Sequence, residues 1–242
     1  GQAYIWNGSS FVLDRVDTKS NKRSKLFDDF LTGSTISGTV GELGWVVTNS
    51  GTAAGVRLPT ALGTNEFGMI GPATGTTTTG RSTLSLNSSS IILGNGVLTV
   101  EARVYIPTIA DATNNYIFRI GLGDVTTAGD MVDGVYFEYN RLVSASNWLI
   151  KTANNSVRTE TISTGIINIA TWMKLKFISN DIGSSTDFYV NDVLVGTIGT
   201  NHPVAVDRQT GPIIKIEKSA GTTARSVNID YFSIEKVFTT AR

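Results

Sequence analysis

Cleavage of a glycosidic bond by the retaining route needs two carboxylates on one face, roughly 5–5.5 Å apart. Positions two apart on a β-strand supply such a pair, because alternate side chains share a face. The chain has 20 Asp and Glu residues, and none lies two or four positions from another. GVYFEYN (134–140) carries Glu138 alone. The single histidine, His202, precedes Pro203 in TNHPVAV. With no recognisable Ser or Asp partner it reads as a surface histidine rather than a base or a metal ligand. GxSxG, HExxH and P-loop motifs are absent. Carboxylates from separate strands could still meet, yet the residue pattern points to a protein that is not an enzyme.

Sugar sites pair an aromatic face with planar polar side chains that read hydroxyls. Tyr136, Glu138, Asn140, Lys174, Lys176 and Tyr189 fall on the polar faces of late strand-like segments. Neighbouring strands would join them into one polar-aromatic surface. The plainer alternative is a solvated sheet face with Glu–Lys pairs, each worth less than ~1 kcal/mol. Trp148 follows RLVSASN and leads a strand, so it reads as a rim aromatic or as packing at a strand edge. Arg158, in NNSVRTET, joins Trp148 if the two segments form a hairpin. Trp45 and Trp172 read as structural.

These residues sit in a chain of 242 with 40% hydrophobic and 17% charged residues, a composition of many short strands and turns. Lys plus Arg balances Asp plus Glu at 20 each, so no net field draws it to nucleic acid. The absence of cysteine excludes disulfides, thiolate metal sites and Cys nucleophiles. No apolar run approaches the ~18 residues of a membrane-spanning helix, so membrane insertion is not expected.

The elements that must position the candidates are strands. Residues 1–13 predict a tiny hairpin around Asn7-Gly8, which needs a surface to pack on. Residues 14–25 read as a polar, basic linker, and the main domain runs over 26–242. GWVVTNS (44–50) and RSTLSLN (81–87) read as strands, with GPATGTTTTG (71–80) as a loop between them. From Leu98 to Ile106 every second residue is apolar, and the same period recurs in 116–122, 135–139 and 173–177. A further hairpin, DFYVNDVLVG, turns at Asn191-Asp192. Short alternating strands at this spacing predict an all-β, two-sheet antiparallel sandwich.

The order GVYFEYN, NWLIKT, ATWMKLKF, TDFYVNDVLVGTI, IEKSAGTTARSVNIDYFSI resembles the lectin-like jelly roll of the concanavalin/laminin-G type. Such domains occur in bacteriophage fibre, tail and capsid-decoration proteins and in bacterial surface or secreted proteins. The match spans about 97–237 and extends loosely over 26–96. GQAYIWNGSSFVL is similar to short segments of phage fibre and tail proteins. Laminarinase-type hydrolases share the fold, but their Glu-x-Asp-plus-Glu strand is missing here, as is the lyase set of Tyr, His, Arg and Gln.

The resemblance implies a virion or extracellular structural protein, homotrimeric as fibres often are, whose partners are host-surface glycans or other virion subunits. The alternatives are a carbohydrate-binding module of a secreted glycan-processing protein and a divergent glycosidase or polysaccharide lyase. It implies no cofactor beyond a structural Ca²⁺. First and last strands of jelly rolls are commonly adjacent, which nominates Asp28, Asp29 and Asp230 as its ligands.

Overall fold

The computed structural model describes residues 4–6, 11–13, 22–31, 38–59 and 63–240. They form an antiparallel β-sandwich, and no α-helix occurs among them. The larger sheet has eight strands, in the spatial order β13 (Val157–Ile166), β12 (Asn147–Asn154), β11 (Gly134–Asn140), β10 (Tyr116–Gly123), β17 (Gly211–Lys218), β8 (Arg81–Ser85), β5 (Trp45–Ser50) and β4 (Thr39–Val40). The smaller has six: β16 (Val193–Ile198), β15 (Thr186–Val190), β14 (Trp172–Ser179), β9 (Val97–Tyr105), β18 (Asn228–Val237) and β3 (Arg23–Asp28). Two further pairs are β1 (Tyr4–Trp6) with β2 (Phe11–Leu13), and β6 (Gly55–Arg57) with β7 (Gly71–Ala73).

Alternation builds the core. Leu98, Val100, Ala102 and Val104 of β9 face inward against Phe118, Ile120 and Leu122 of β10 and Val135, Phe137 and Tyr139 of β11. Aromatic edges close the gap between sheets: Phe137 meets Phe188 at 5.2 Å and Trp45 meets Phe232 at 5.1 Å, centroid to centroid. Such pairs add about 0.5–1.5 kcal/mol each beyond the area they bury. The turn at Asn191-Asp192 takes φ of 50° and 65°, as a two-residue hairpin loop demands.

Several expectations shift. β1 and β2 do pair, Tyr4 opposite Leu13 and Trp6 opposite Phe11, while Asn7-Gly8 lies outside the described residues. So do residues 14–21 of the expected linker; its last three residues, Arg23, Ser24 and Lys25, belong to β3. The segment expected as a loop at 71–80 begins with β7, buried throughout, and Thr74 Oγ1 accepts a hydrogen bond from Arg225 N at 3.1 Å. A tract of small residues fits under the sandwich edge where larger side chains would not, which composition alone disguises as a loop.

Candidate functional site

Over its central strands β12, β11, β10 and β17 the outward face of the larger sheet is charged, yet it is buried. Cross-strand register places Arg119 (β10) between Glu138 (β11) and Lys215 (β17), and Tyr136 beside Lys151 (β12). Arg119 Nε donates to Glu138 Oε2 at 2.6 Å, and its Nη1 donates to Glu217. Lys151 Nζ lies 3.3 Å from Glu138 Oε2 and 2.8 Å from Glu160 Oε2. Glu138 is 1% exposed, Arg119 and Lys151 4% each.

What hides them is the connection between β10 and β11, residues 124–133. Its Asp130 accepts from Tyr136 Oη and Lys151 Nζ, both at 2.6 Å, and pairs with Arg119 Nε at 3.0 Å. Lys215 Nζ donates to the carbonyls of Val125, Thr127 and Gly129 at 3.2, 3.1 and 2.6 Å. Burial works against the Asp130 charge, but Arg119 and Lys151 outweigh it and hold the carboxyl far below the usual range. Burial pulls the Lys215 ammonium down to about 8, with Glu217 opposing. Each buried carboxylate here has a cation against it.

The six residues expected to form one surface are therefore divided. Tyr136 and Glu138 lie under the connection, with Asn140 at its margin, where Asn140 Nδ2 donates to Glu138 Oε1 at 3.3 Å. Lys174, Lys176 and Tyr189 belong to the smaller sheet and face outward from the opposite side of the sandwich. Sequence periodicity marks a polar face without saying which sheet owns it.

Except at Arg103, where the buried carboxylate of Glu66 lies 3.8 Å away, the outward face of the smaller sheet is uncovered among the described residues, its rings and cations half-buried. Trp172 is opposite Tyr105, Lys174 opposite Arg103, and Lys176 stands between Glu101 and Tyr189. The Arg103 guanidinium stacks on Trp172 at 4.7 Å and Lys176 Nζ on Tyr189 at 5.0 Å. Phe27 stacks on Tyr231 at 5.7 Å, and Tyr231 Oη donates to Glu101 at 2.7 Å. Lys174 and Lys176 both reach Asp192 in the β15–β16 turn. The half-exposed rings and cations alternate across five strands. Trp172, expected to be structural, shares this face, as do Tyr105 and Arg103, which sequence reasoning passed over although they alternate with the core residues of β9.

The three aspartates expected around Ca²⁺ are placed differently. β3 does pair with β18, Asp28 opposite Phe232. Asp28 is buried, and its carboxylate accepts from Phe30 N at 2.7 Å, Glu42 N at 3.2 Å, Leu43 N at 2.9 Å and Trp45 Nε1 at 3.0 Å. Four donors occupy the oxygens a cation would need. Asp230 sits at a register slip in β18 and accepts from Arg103 Nη1 at 2.6 Å. Asp29 has its carboxyl raised by burial and by Asp230 and Asp28. Among the described residues no three Asp, Glu or His side chains come together as a metal cluster.

Trp148 is no rim aromatic: it is fully buried against Phe118 and Phe137, in edge contacts at 6.3 and 6.1 Å. Arg158 is indeed across the β12–β13 hairpin, opposite Ala153, but on the other face, where its Nη2 donates to Met131 O at 2.6 Å. His202 is buried rather than superficial, and Nε2 lies 2.9 Å from Thr186 Oγ1. Burial lowers its pKa. A cleft of about 390 Å³ opens between the sheets, lined by Leu26, Leu86, Ile91, Leu98, Ile234 and Lys236 among others, and no predicted site residue borders it.

Solved structures of the same fold include a protein of unknown function, SO2946 from Shewanella oneidensis MR-1, with TM-score 0.61 and 16% identity over 93% of this chain and 91% of that one. An endo-1,3-beta-glucanase from Streptomyces sioyaensis has TM-score 0.57 and 13% identity, covering 90% and 97%. The carbohydrate recognition domain of Emp47p also has TM-score 0.57, with 10% identity, covering 90% and 98%. At these identities the likeness establishes a concanavalin-like, lectin-type sandwich. No curated protein matches the sequence. The family model for the SO2946-like C-terminal domain matches residues 65–230, well over half the chain, so the chain belongs to that family.

Proposed function

We propose that this protein is a non-enzymatic recognition domain of a virion or other extracellular appendage, and that it binds a glycan through the uncovered face of its smaller sheet. The observation that carries the reading is the contrast between the two outward faces. On the larger sheet Glu138 and Glu217 are tied to Arg119 beneath residues 124–133, so neither stands free as acid or nucleophile. On the smaller sheet Tyr105, Trp172, Tyr189 and Tyr231 stand half-exposed among Arg103, Lys174 and Lys176. Flat rings cover the C–H patches of a sugar, and the cations and Asp192 read its hydroxyls or acidic groups.

The fold hosts both a glucanase and a carbohydrate recognition domain, so it favours neither by itself. The virion setting rests on the resemblance of the N-terminal segment and of the late strand order to phage appendage proteins. A trimer there would place neighbouring subunits in contact, and light scattering measures that mass directly. The functional test is a glycan array run beside a reducing-sugar assay on a panel of β-glucans. Binding without sugar release is the expected result; release of reducing ends would return the protein to the hydrolases.

A further inference from the structure

β10 and β11 are paired to their last residues, Gly123 opposite Gly134. A two-residue turn could join strands in that register, yet ten residues, 124–133, connect them. The additional length lies back over the sheet in two anchored places. Met131 is fully buried against Tyr136 and Ile213, in a notch beside Gly123, where a Cβ would meet Met131 Sδ at 2.5 Å. Beside it, Asp130 enters a nest built by four different strands of the sheet. Oδ1 meets Tyr136 Oη at 2.6 Å and Arg119 Nε at 3.0 Å; Oδ2 meets Lys151 Nζ at 2.6 Å and Arg158 Nε at 3.5 Å. The sheet thus presents one phenol and three cations to this carboxylate, Arg119 and Lys151 being shared with Glu138, Glu217 and Glu160, next to an aromatic ring and an apolar notch beside Gly123.

We propose that the outward face of the larger sheet is a carboxylate-binding site whose resident occupant is Asp130, and that it accepts the carboxylate of an acidic sugar of the uronate type when residues 124–133 are displaced. The nest recognises the carboxylate by charge-assisted hydrogen bonds. The Tyr136–Ile213 notch that Met131 fills then takes the apolar side of the sugar ring. An external uronate competes with Asp130 for the same donors, so the intact chain binds it only to the extent that the ligand outbids the internal carboxylate. This site is separate from the uncovered face of the smaller sheet, and neither depends on the other.

Two variants of the full chain test it. In the first, Asn-Gly replaces residues 124–133, and galacturonate and galactose are titrated by calorimetry. Galacturonate should bind and galactose should not, and adding Lys151→Met should weaken galacturonate roughly tenfold or more. In the second, Asp130→Gly is melted in acetate, galacturonate or chloride at equal ionic strength. The carboxylates should raise its melting temperature in a saturable way that chloride does not reproduce, while the unaltered chain shows no such difference. A folded shortened chain that binds neither sugar overturns the proposal. Should that chain not fold, equal melting of Asp130→Gly in all three salts overturns it instead.

Discussion

Arg119 Nε and Glu138 Oε2 are 2.6 Å apart on adjacent strands, and both side chains are almost wholly out of solvent. Two ions taken out of water this completely are stable only as a pair. Removing one unbalances a buried cluster in which Arg119 would keep Glu217 and Asp130 and Glu138 would keep Lys151, so Glu138→Ala and Arg119→Ala should each cost ~3 kcal/mol in urea unfolding, the low end of the range for a broken buried pair. A loss under about 1 kcal/mol for both, the range of an exposed pair, would mean that the connection over them is open in solution.

Asp28 should prove as important on the other side of the molecule. Its carboxylate gathers three backbone N–H groups and the Trp45 indole, and Gly41 approaches so closely that a Cβ would lie 2.5 Å from Oδ2. Asp28→Ala strands those donors in the interior, and at about 1–3 kcal/mol for each unsatisfied group the loss should exceed about 3 kcal/mol. Gly41→Ala should be comparably damaging, because its φ of +71° is strained for any L side chain as well. Adding Ca²⁺ should leave the melting temperature of the unaltered protein unchanged; a clear rise would restore the expected metal site.

Stability should rise with pH through the windows of Asp130 and Lys215 and fall again at the alkaline end. Lys215 has a folded value of about 8, below the ~10.4 of an unfolded lysine, so above about pH 8 the unfolded chain binds the additional proton and stability rises with pH. Asp130 is depressed, so its contribution is present above the unfolded value of ~3.9 and is lost as pH falls below it. Beyond pH ~10 the raised values of Tyr136 and Lys151 reverse the trend, because the folded state then holds protons that the unfolded chain releases. Melting curves from pH 3 to 11 check the shape, and Lys215→Met should flatten the rise above pH 8. A profile unaltered by Lys215→Met would mean that Lys215 does not titrate in this range.

Substitutions on the uncovered face should behave unlike any of these. Tyr189→Ser and Lys174→Ser change half-buried positions: the charged partner of Lys174, Asp192, is itself in a solvent-facing turn, and Tyr189 meets the Lys176 ammonium over its ring. Their effect on urea unfolding should stay within about 1 kcal/mol. A larger loss would mark the face as structural.

The alternation of Leu98–Ile106, 135–139 and 173–177 made the sandwich legible from the sequence, because a strand with only one face to the apolar core writes its period into the chain, even where, as at Tyr136 and Glu138, the polar face is later covered. The hairpin at Asn191-Asp192 was equally plain, since few residues tolerate two successive positive φ values. The division of the polar residues was not legible. Glu138 and Lys176 carry the same local signal, and only pairing over long sequence distances sends one to β11 in the larger sheet and the other to β14 in the smaller. Nor could GDVTTAGDMVD announce that it covers a sheet: its polar composition is that of an open loop, and the anchors Asp130 and Met131 acquire meaning only from Arg119, Lys151 and Tyr136. Trp148 and His202 misled for a related reason, their loop-like neighbours giving no hint that both side chains turn inward.

The proposed glycan site lies on the outward face of the smaller sheet. Its most direct test is a glycan array probed with the unaltered protein and with a Trp172→Ala/Tyr189→Ser variant that keeps the same melting temperature. The first should bind on the array, and the second should lose that binding by roughly tenfold or more in affinity. Array binding of equal strength by both proteins would contradict it.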